Sequence, residues 1–313
     1  MIGRVKSIIR ESFHGAILLE IIAIQVYIER KIINRCRYFG YKYKCPVCKS
    51  NLRSFLPLPA KFTGTFEFSG VKYSKDDWET LNYRNYRCPV CFSNDRSRFI
   101  ALYLKTVLYG QHSKNFNNES NNTDNQKPIL LHFSPEKGLF RFIRKTNRFK
   151  YMTSDSCIMS ETNRFKYKTP DYCKKGISLK LDLQKMDVIK DNCVDSFICS
   201  HVLEHIKEDK KALSELYRVL KVDGWGIVLV PINEKLEYTY EDPAIISEED
   251  RIKHFGKKDH FRVYAKKDFI NRLKDAGFKI KELGADNFFE KEVLKKSGIT
   301  EKSKLYVLNK LTV

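Results

Sequence analysis

The 313-residue chain is poor in glycine and proline, with 14 and 9, and holds only 4 methionines and 2 tryptophans. That scarcity excludes collagen-like and low-complexity structure, and 42% hydrophobic residues exclude general disorder. One or two ordinary cores are within reach of this length. A long apolar run is also missing. The most apolar stretch, 16–28 (AILLEIIAIQVYI), is interrupted by Glu20 and Gln25. It falls short of the roughly 20 residues a spanning helix needs, and no small-residue cleavage site follows it. Two readings stand for this segment: a packing or dimerisation helix, and a helix lying on a membrane surface with its basic ends on phosphate.

Acidic residues are in deficit, 38 against 58 Lys plus Arg, for a net charge of +20. Such an excess suits a nucleic-acid or anionic-membrane partner, and equally a general compositional bias. Its distribution is uneven: 21 basic and 10 acidic residues precede position 128, and 37 and 28 follow. No long block of one sign occurs.

The nine cysteines are an odd number and too sparse for a secreted disulfide scaffold, so a reducing cytosol is expected. Cys36, Cys157, Cys173, Cys193 and Cys199 show no pairing pattern. The other four form two copies of one tetrapeptide, Cys45-Pro46-Val47-Cys48 and Cys88-Pro89-Val90-Cys91. Each copy offers two sulfurs from a tight turn, and together they make the ligand set of a tetrahedral structural zinc. Four thiolates leave no open position, so such an ion is not catalytic. The alternative is four buried thiols without an ion.

Three composition regions follow one another after the N-terminal helix of residues 1–38. Residues 39–110 carry the cysteine pairs, a hairpin-like stretch (KFTGTFEFSGVKY) and a trailing helix at 96–109, and read as a zinc-ribbon domain. Residues 111–127 are almost wholly polar with six asparagines, a linker. From 128 to 313 short apolar runs alternate with amphipathic stretches, the rhythm of an α/β sheet. Strands are predicted at 129–133, 151–154, 178–181, 196–199 and 226–231, with helices at 210–220 and 267–276. Residues 232–264 lack periodicity and form an insert. Strands at 278–283 and 304–308 end the chain as an antiparallel hairpin at the sheet edge. The hexapeptide TNRFKY at 146–151 recurs at 162–167, a local duplication that lengthens the segment after the second strand.

The stretch 195–206 (DSFICSHVLEHI), followed by Arg218-Val219-Leu220 and Asp223-Gly224-Trp225, resembles the fourth strand, fourth helix and fifth strand of class I S-adenosylmethionine-dependent methyltransferases. Residues 129–138 (ILLHFSPEKG) stand in the place of the first strand and its glycine-rich loop. The loop departs from the family: only Gly138 remains, with His132 at the acidic position and Ser134 and Glu136 at the first two glycines. Together with the CPVC pairs, Asp95-Arg96-Ser97-Arg98 and the later FGKKDHFRVY, the chain is similar to a bacterial methyltransferase type 11-like group with an N-terminal zinc ribbon, over roughly residues 43–283. That resemblance implies a Rossmann-like, doubly wound α/β methyltransferase sheet.

It also implies site residues. The S-adenosylmethionine set is His132, Ser134, Glu136, Gly138, Asp155, Asp182, Leu183, Ser200 and His201. Asp155 takes ribose hydroxyls, Asp182 takes the adenine amine, and Leu183 lends backbone contact; either aspartate also suits a helix N-cap. Glu204 and His205 read as a pair orienting the fourth helix. The residue types limit the general base to His201 and His260. Asp259 suits fixing a ring tautomer, Arg262 an anionic part of the acceptor, and Tyr264 completes the substrate set.

Three functions from different classes remain open. The first is methyl transfer, expected at oxygen of a small-molecule or glycan-type acceptor, since the acidic insert is a poor bed for a polyanion. An RNA methyltransferase reading its substrate through the ribbon is the second. A non-catalytic scaffold with a degenerate cofactor loop is the third.

Overall fold

The computed structural model describes residues 32–59, 66–68, 71–109, 127–154 and 177–311. The expected helix around 16–28, most of the 111–127 linker, Asp155 and the second TNRFKY copy lie outside the described residues.

A short helix, α1 (Asn34–Arg37), precedes two small antiparallel pairs: β1 (Tyr43–Lys44) with β2 (Asn51–Leu52), and β3 (Phe66–Phe68) with β4 (Val71–Tyr73). Helix α2 (Asp95–Tyr109) follows. Then come β5 (Ile129–Phe133), α3 (Lys137–Thr146), β6 (Lys150–Ser154), β7 (Ile177–Leu179), β8 (Val194–Ser200), α4 (Asp209–Val219) and β9 (Leu220–Leu229). The remainder is β10 (Tyr240–Glu241), α5 (Glu248–Phe255), β11 (Arg262–Val263), α6 (Lys266–Asp275), β12 (Lys279–Gly284), α7 (Ala285–Phe288), α8 (Lys291–Ser297) and β13 (Lys304–Asn309).

Seven strands form one mixed sheet in the order β12-β13-β9-β8-β5-β6-β7. β5, β6, β7, β8 and β9 are mutually parallel, and β13 is antiparallel to both its neighbours. The central strands read as continuous apolar runs because both faces are covered; Leu130, Leu131, Phe133, Phe197, Ile198 and Ile227 are buried. Helix α4 turns Ala212, Leu213, Leu216 and Val219 inward at helical spacing.

Two expectations are corrected. β12 and β13 are an antiparallel pair, but residues 285–303 between them carry α7 and α8, so the pair is not a hairpin. The insert is also not irregular: β10 pairs with β11, and α5 lies between them. Ser247 caps α5 by accepting from the Asp250 amide, and Gly256 ends it in the left-handed region. The acidic residues Glu248, Glu249 and Asp250 fill its first turn, which a helix N-terminus favours.

The cysteine-bearing segment does not stand apart from the sheet. Cys45, Leu52, Phe55, Val90 and Phe99 belong to the same hydrophobic cluster as the sheet strands. Glu79 accepts a 2.8 Å hydrogen bond from the Tyr306 hydroxyl on β13, and Asn82 Nδ2 donates to the Gly298 carbonyl at 3.0 Å. Arg98 is fully buried and spends its guanidinium on carbonyls from both ends of the chain: Tyr86, Asn85, Ser93, Ser297 and Gly298. Its Cζ lies 4.1 Å from the Phe55 ring centroid.

Arg98→Met keeps volume but leaves those carbonyls unpaired, and should lower unfolding stability by about 3 kcal/mol. Chemical denaturation checks this; an unchanged midpoint would contradict the assignment.

Candidate functional site

The strand order runs outward in opposite directions from the β5–β8 pair, so a crevice opens beyond their C-terminal ends, the position where open α/β sheets take ligands. Both strands end in residues with left-handed backbone: Ser134 at φ 45° after β5 and His201 at φ 55° after β8. Each turn is pinned sideways. The Ser134 amide donates to the Ser154 carbonyl at 2.7 Å, and the His201 amide to the Leu229 carbonyl at 2.8 Å. At the end of β6 the Ser154 hydroxyl is buried and has no hydrogen-bond partner among the described residues. Ser200 is half-buried at the end of β8.

Glu136 closes the β5 side of the crevice. Its carboxylate accepts from Asn94 Nδ2 at 2.6 Å and Arg96 at 2.6 Å, and from the Ser97 hydroxyl, all at the start of α2. Burial pushes its pKa up, but Arg96 and these hydrogen bonds outweigh that and hold it below the usual carboxylate range. Gly138, the only glycine of the 134–138 loop, faces the second cysteine turn: an added Cβ would lie 3.1 Å from Ser93 Cβ and 3.3 Å from the Cys91 carbonyl oxygen. Its smallness therefore serves packing against that turn.

On the β8 side Glu204 is the hub. It is 1% exposed, with His201 Nδ1 3.3 Å and His205 Nε2 3.9 Å from its Oε1. Burial would raise its pKa, but the neighbouring imidazoles, His201 first, hold it well down. Burial, reinforced by Arg96, pushes His201 down to about 4 against the pull of Glu204, so its ring is neutral near pH 7. The His205 and His260 rings meet edge to face at 4.7 Å. Asp259 offers its carbonyl to His205 Nδ1 at 3.0 Å, so the ring it orients is His205 and not His260.

Several expected site residues are placed elsewhere. Arg262 is buried and stapled to Glu241 and to the carbonyls of Leu203, Ile206 and Lys207, which fixes the turn carrying Glu204. Tyr264 is fully buried, donating to Asp209 at 2.6 Å, and Asp209 also pairs with Arg272. Both residues therefore support the site from behind, a correction to their reading as acceptor contacts. His132 is buried with Nδ1 2.8 Å from the Tyr151 hydroxyl, and burial pushes its pKa down to about 3. It braces β5 against β6. Asp182 Oδ1 accepts from the Gln184 amide at 2.9 Å, closing a turn after β7, and Leu183 is buried beside it. Asp155 lies outside the described residues. Sequence reasoning missed Asn94, Arg96 and Ser97 as partners of Glu136; the Asp95-Arg96-Ser97-Arg98 run was the available signal.

The four CPVC sulfurs converge. Cys45 and Cys91 Sγ are 3.7 Å apart, Cys48 and Cys88 Sγ 3.8 Å apart, and all four lie within 4.8 Å of one another. A tetrahedron with metal–sulfur bonds of about 2.3 Å has edges of ~3.8 Å, so the set fits one ion. The two turns are copies: the amides of Lys49 and Phe92 donate to the carbonyls of Cys45 and Cys88, and both residues sit at φ 62°.

Residues 152–228 match the family model described as a methyltransferase domain. That span runs from within β6 to the penultimate residue of β9 and contains Asp182, Ser200, His201 and Glu204. No curated protein compared matches the chain. Similar solved structures include a Haloferax volcanii complex of a methyltransferase activator with a methyltransferase (14% identity, covering 60% of this chain and 87% of that one, TM-score 0.37). A SAM-dependent methyltransferase from Archaeoglobus fulgidus (15%, 66% and 92%, TM-score 0.37) is another. A third is phosphoethanolamine N-methyltransferase 2 of Haemonchus contortus with S-adenosyl-L-methionine (12%, 70% and 59%, TM-score 0.40). Among the described residues no helix is long and apolar enough to cross a membrane.

If the CPVC turns hold an ion, removing it with a chelator should release one metal per chain from the thiolates and lower the thermal midpoint, because both turns are part of the shared core. Metal-free protein unfolding at the same temperature would contradict this.

Proposed function

We propose that the chain is an S-adenosylmethionine-dependent methyltransferase acting on an oxygen of a small-molecule or glycan-type acceptor, with a structural zinc on Cys45, Cys48, Cys88 and Cys91. The observation that carries this reading is the pairing of His201 with buried Glu204 at the end of β8, within the span matched by the methyltransferase domain model. Bound S-adenosylmethionine supplies an electrophilic methyl group on a sulfonium. The chain's part is to hold it and to align and deprotonate the acceptor.

The residues present suit an adenosine-bearing ligand. The unpartnered Ser154 hydroxyl, the half-buried Ser200 and the two sharp strand exits give polar atoms and close backbone approach at the switch point. Asp182 is assigned the adenine amine, and Asp155 the ribose hydroxyls. Glu136, tied to Arg96, shapes the loop where related chains use glycines. His201 is assigned the base: Glu204 holds its Nδ1–H, leaving Nε2 to accept the acceptor's hydroxyl proton. The acidic insert, with Glu248, Glu249 and Asp250 exposed, disfavours a polyanion over that face.

One observation favours the RNA reading. Arg35, Arg37, Lys42, Lys44, Lys49 and Arg53 are all exposed, with no acidic residue among 32–59. A salt-dependent shift of RNA by the full chain would move the acceptor from a small molecule to RNA.

Calorimetry tests the central reading. S-adenosylmethionine should bind, and Asp182→Ala should weaken it by about 1 to 3 kcal/mol. No heat at millimolar ligand would contradict both enzyme readings and favour the scaffold; unchanged affinity in the variant would refute the role of Asp182.

A further inference from the structure

Beside the proposed base three side chains converge, and the contact of Glu204 Oε1 with His201 leaves its second oxygen unused. Glu204 and His205 come from the short turn after β8, and His260 comes from the insert. Their ligand atoms all lie within 4.8 Å of one another. Two have no hydrogen-bond partner among the described residues and are buried: Glu204 Oε2, on a residue 1% exposed, and His260 Nε2, on a residue 7% exposed. Leaving a carboxylate oxygen and an imidazole nitrogen desolvated and unpaired is costly, so something that carries positive charge or a proton belongs between them.

The tautomer of His205 narrows the choice. A backbone carbonyl only accepts, so the 3.0 Å contact with the Asp259 carbonyl places the proton on His205 Nδ1. In the neutral ring the lone pair is then on Nε2, which faces Glu204 Oε1 at 3.9 Å. In that state two acceptors face each other with no hydrogen between them, the arrangement a bound cation would satisfy. An imidazole whose second nitrogen donates to a backbone carbonyl is the usual posture of a metal ligand.

We propose that Glu204, His205 and His260 bind a divalent first-row transition cation of the zinc or iron(II) class. Two imidazoles and one carboxylate form the donor set such ions take in sites with open positions. Bonds of about 2.0 to 2.2 Å place neighbouring ligand atoms ~3 to 3.5 Å apart, so a small inward movement closes the site. The walls are rigid: Arg262 staples the carbonyls of Leu203 and Ile206, and the Phe261 amide donates to the Glu204 carbonyl at 2.9 Å, locking the two ligand-bearing segments together. The site is separate from the four-cysteine set and stands whether or not the chain binds S-adenosylmethionine.

The test is metal stoichiometry on the full chain, stripped of metal and titrated with zinc alone. The wild type should retain two ions per chain, and His260→Ala and Glu204→Gln one each, with their thermal midpoints recorded to establish folding. Cobalt(II) separates the sites within the wild-type chain: one equivalent gives intense thiolate charge-transfer absorption, the other weak bands without it. A single equivalent in the wild type, two equivalents in folded His260→Ala, or thiolate bands for both cobalt ions would overturn the proposal.

Discussion

The grip of α2 on Glu136 is the interaction on which the rest of the molecule turns. A carboxylate in the loop after β5 is drawn into three donors, Asn94, Arg96 and Ser97, that directly follow the second cysteine turn. Gly138 then lets α3 approach Ser93 and Cys91 closely. The cysteine turns and the crevice are thereby one mechanical unit. An ion pair and a neighbouring turn fix this loop.

A second network, buried except for the exposed Glu241, does the same for the other wall. Arg262 and Arg272 meet Glu241 and Asp209, and Tyr264 donates to Asp209. Burying these charges is expensive unless every one is paired and hydrogen-bonded, as they are. What the network secures is placement: β10 and β11 are held against the turn after β8, so His260 from the insert meets Glu204 and His205. Positive charge used this way is structural, and it includes Arg98 at the core. Arg35, Arg37, Lys42, Lys44, Lys49 and Arg53, by contrast, form an exposed basic stretch with no acidic residue among 32–59.

Much of the sheet was legible in the sequence because parallel strands covered on both faces read as apolar runs: 129–133 coincides with β5, and the other strands lie within a few residues of their expected ends. The longest miss is β9, which begins at Leu220 because residues 221–224 bulge out of register between Leu220 and Trp225, with Asp223 at φ 60°. The cysteine set was legible from spacing alone. What stayed hidden depends on contacts distant in sequence: Glu136 needs Arg96, 40 positions away, and His205 needs Asp259, 54 away. Arg262 and Tyr264 look like ligands in a polar insert, and only burial shows that their donors are already engaged.

The central claim is that the crevice beyond β5 and β8 is a cofactor site already shaped by Glu136 and Arg96. A crystal structure of the protein soaked with S-adenosylhomocysteine tests it most directly. The account predicts the ligand between the strand exits at Ser134 and His201, with adenine toward Asp182 and the Glu136–Arg96 pair intact. An empty crevice at saturating ligand, or density that displaces Glu136 from Arg96, would contradict it.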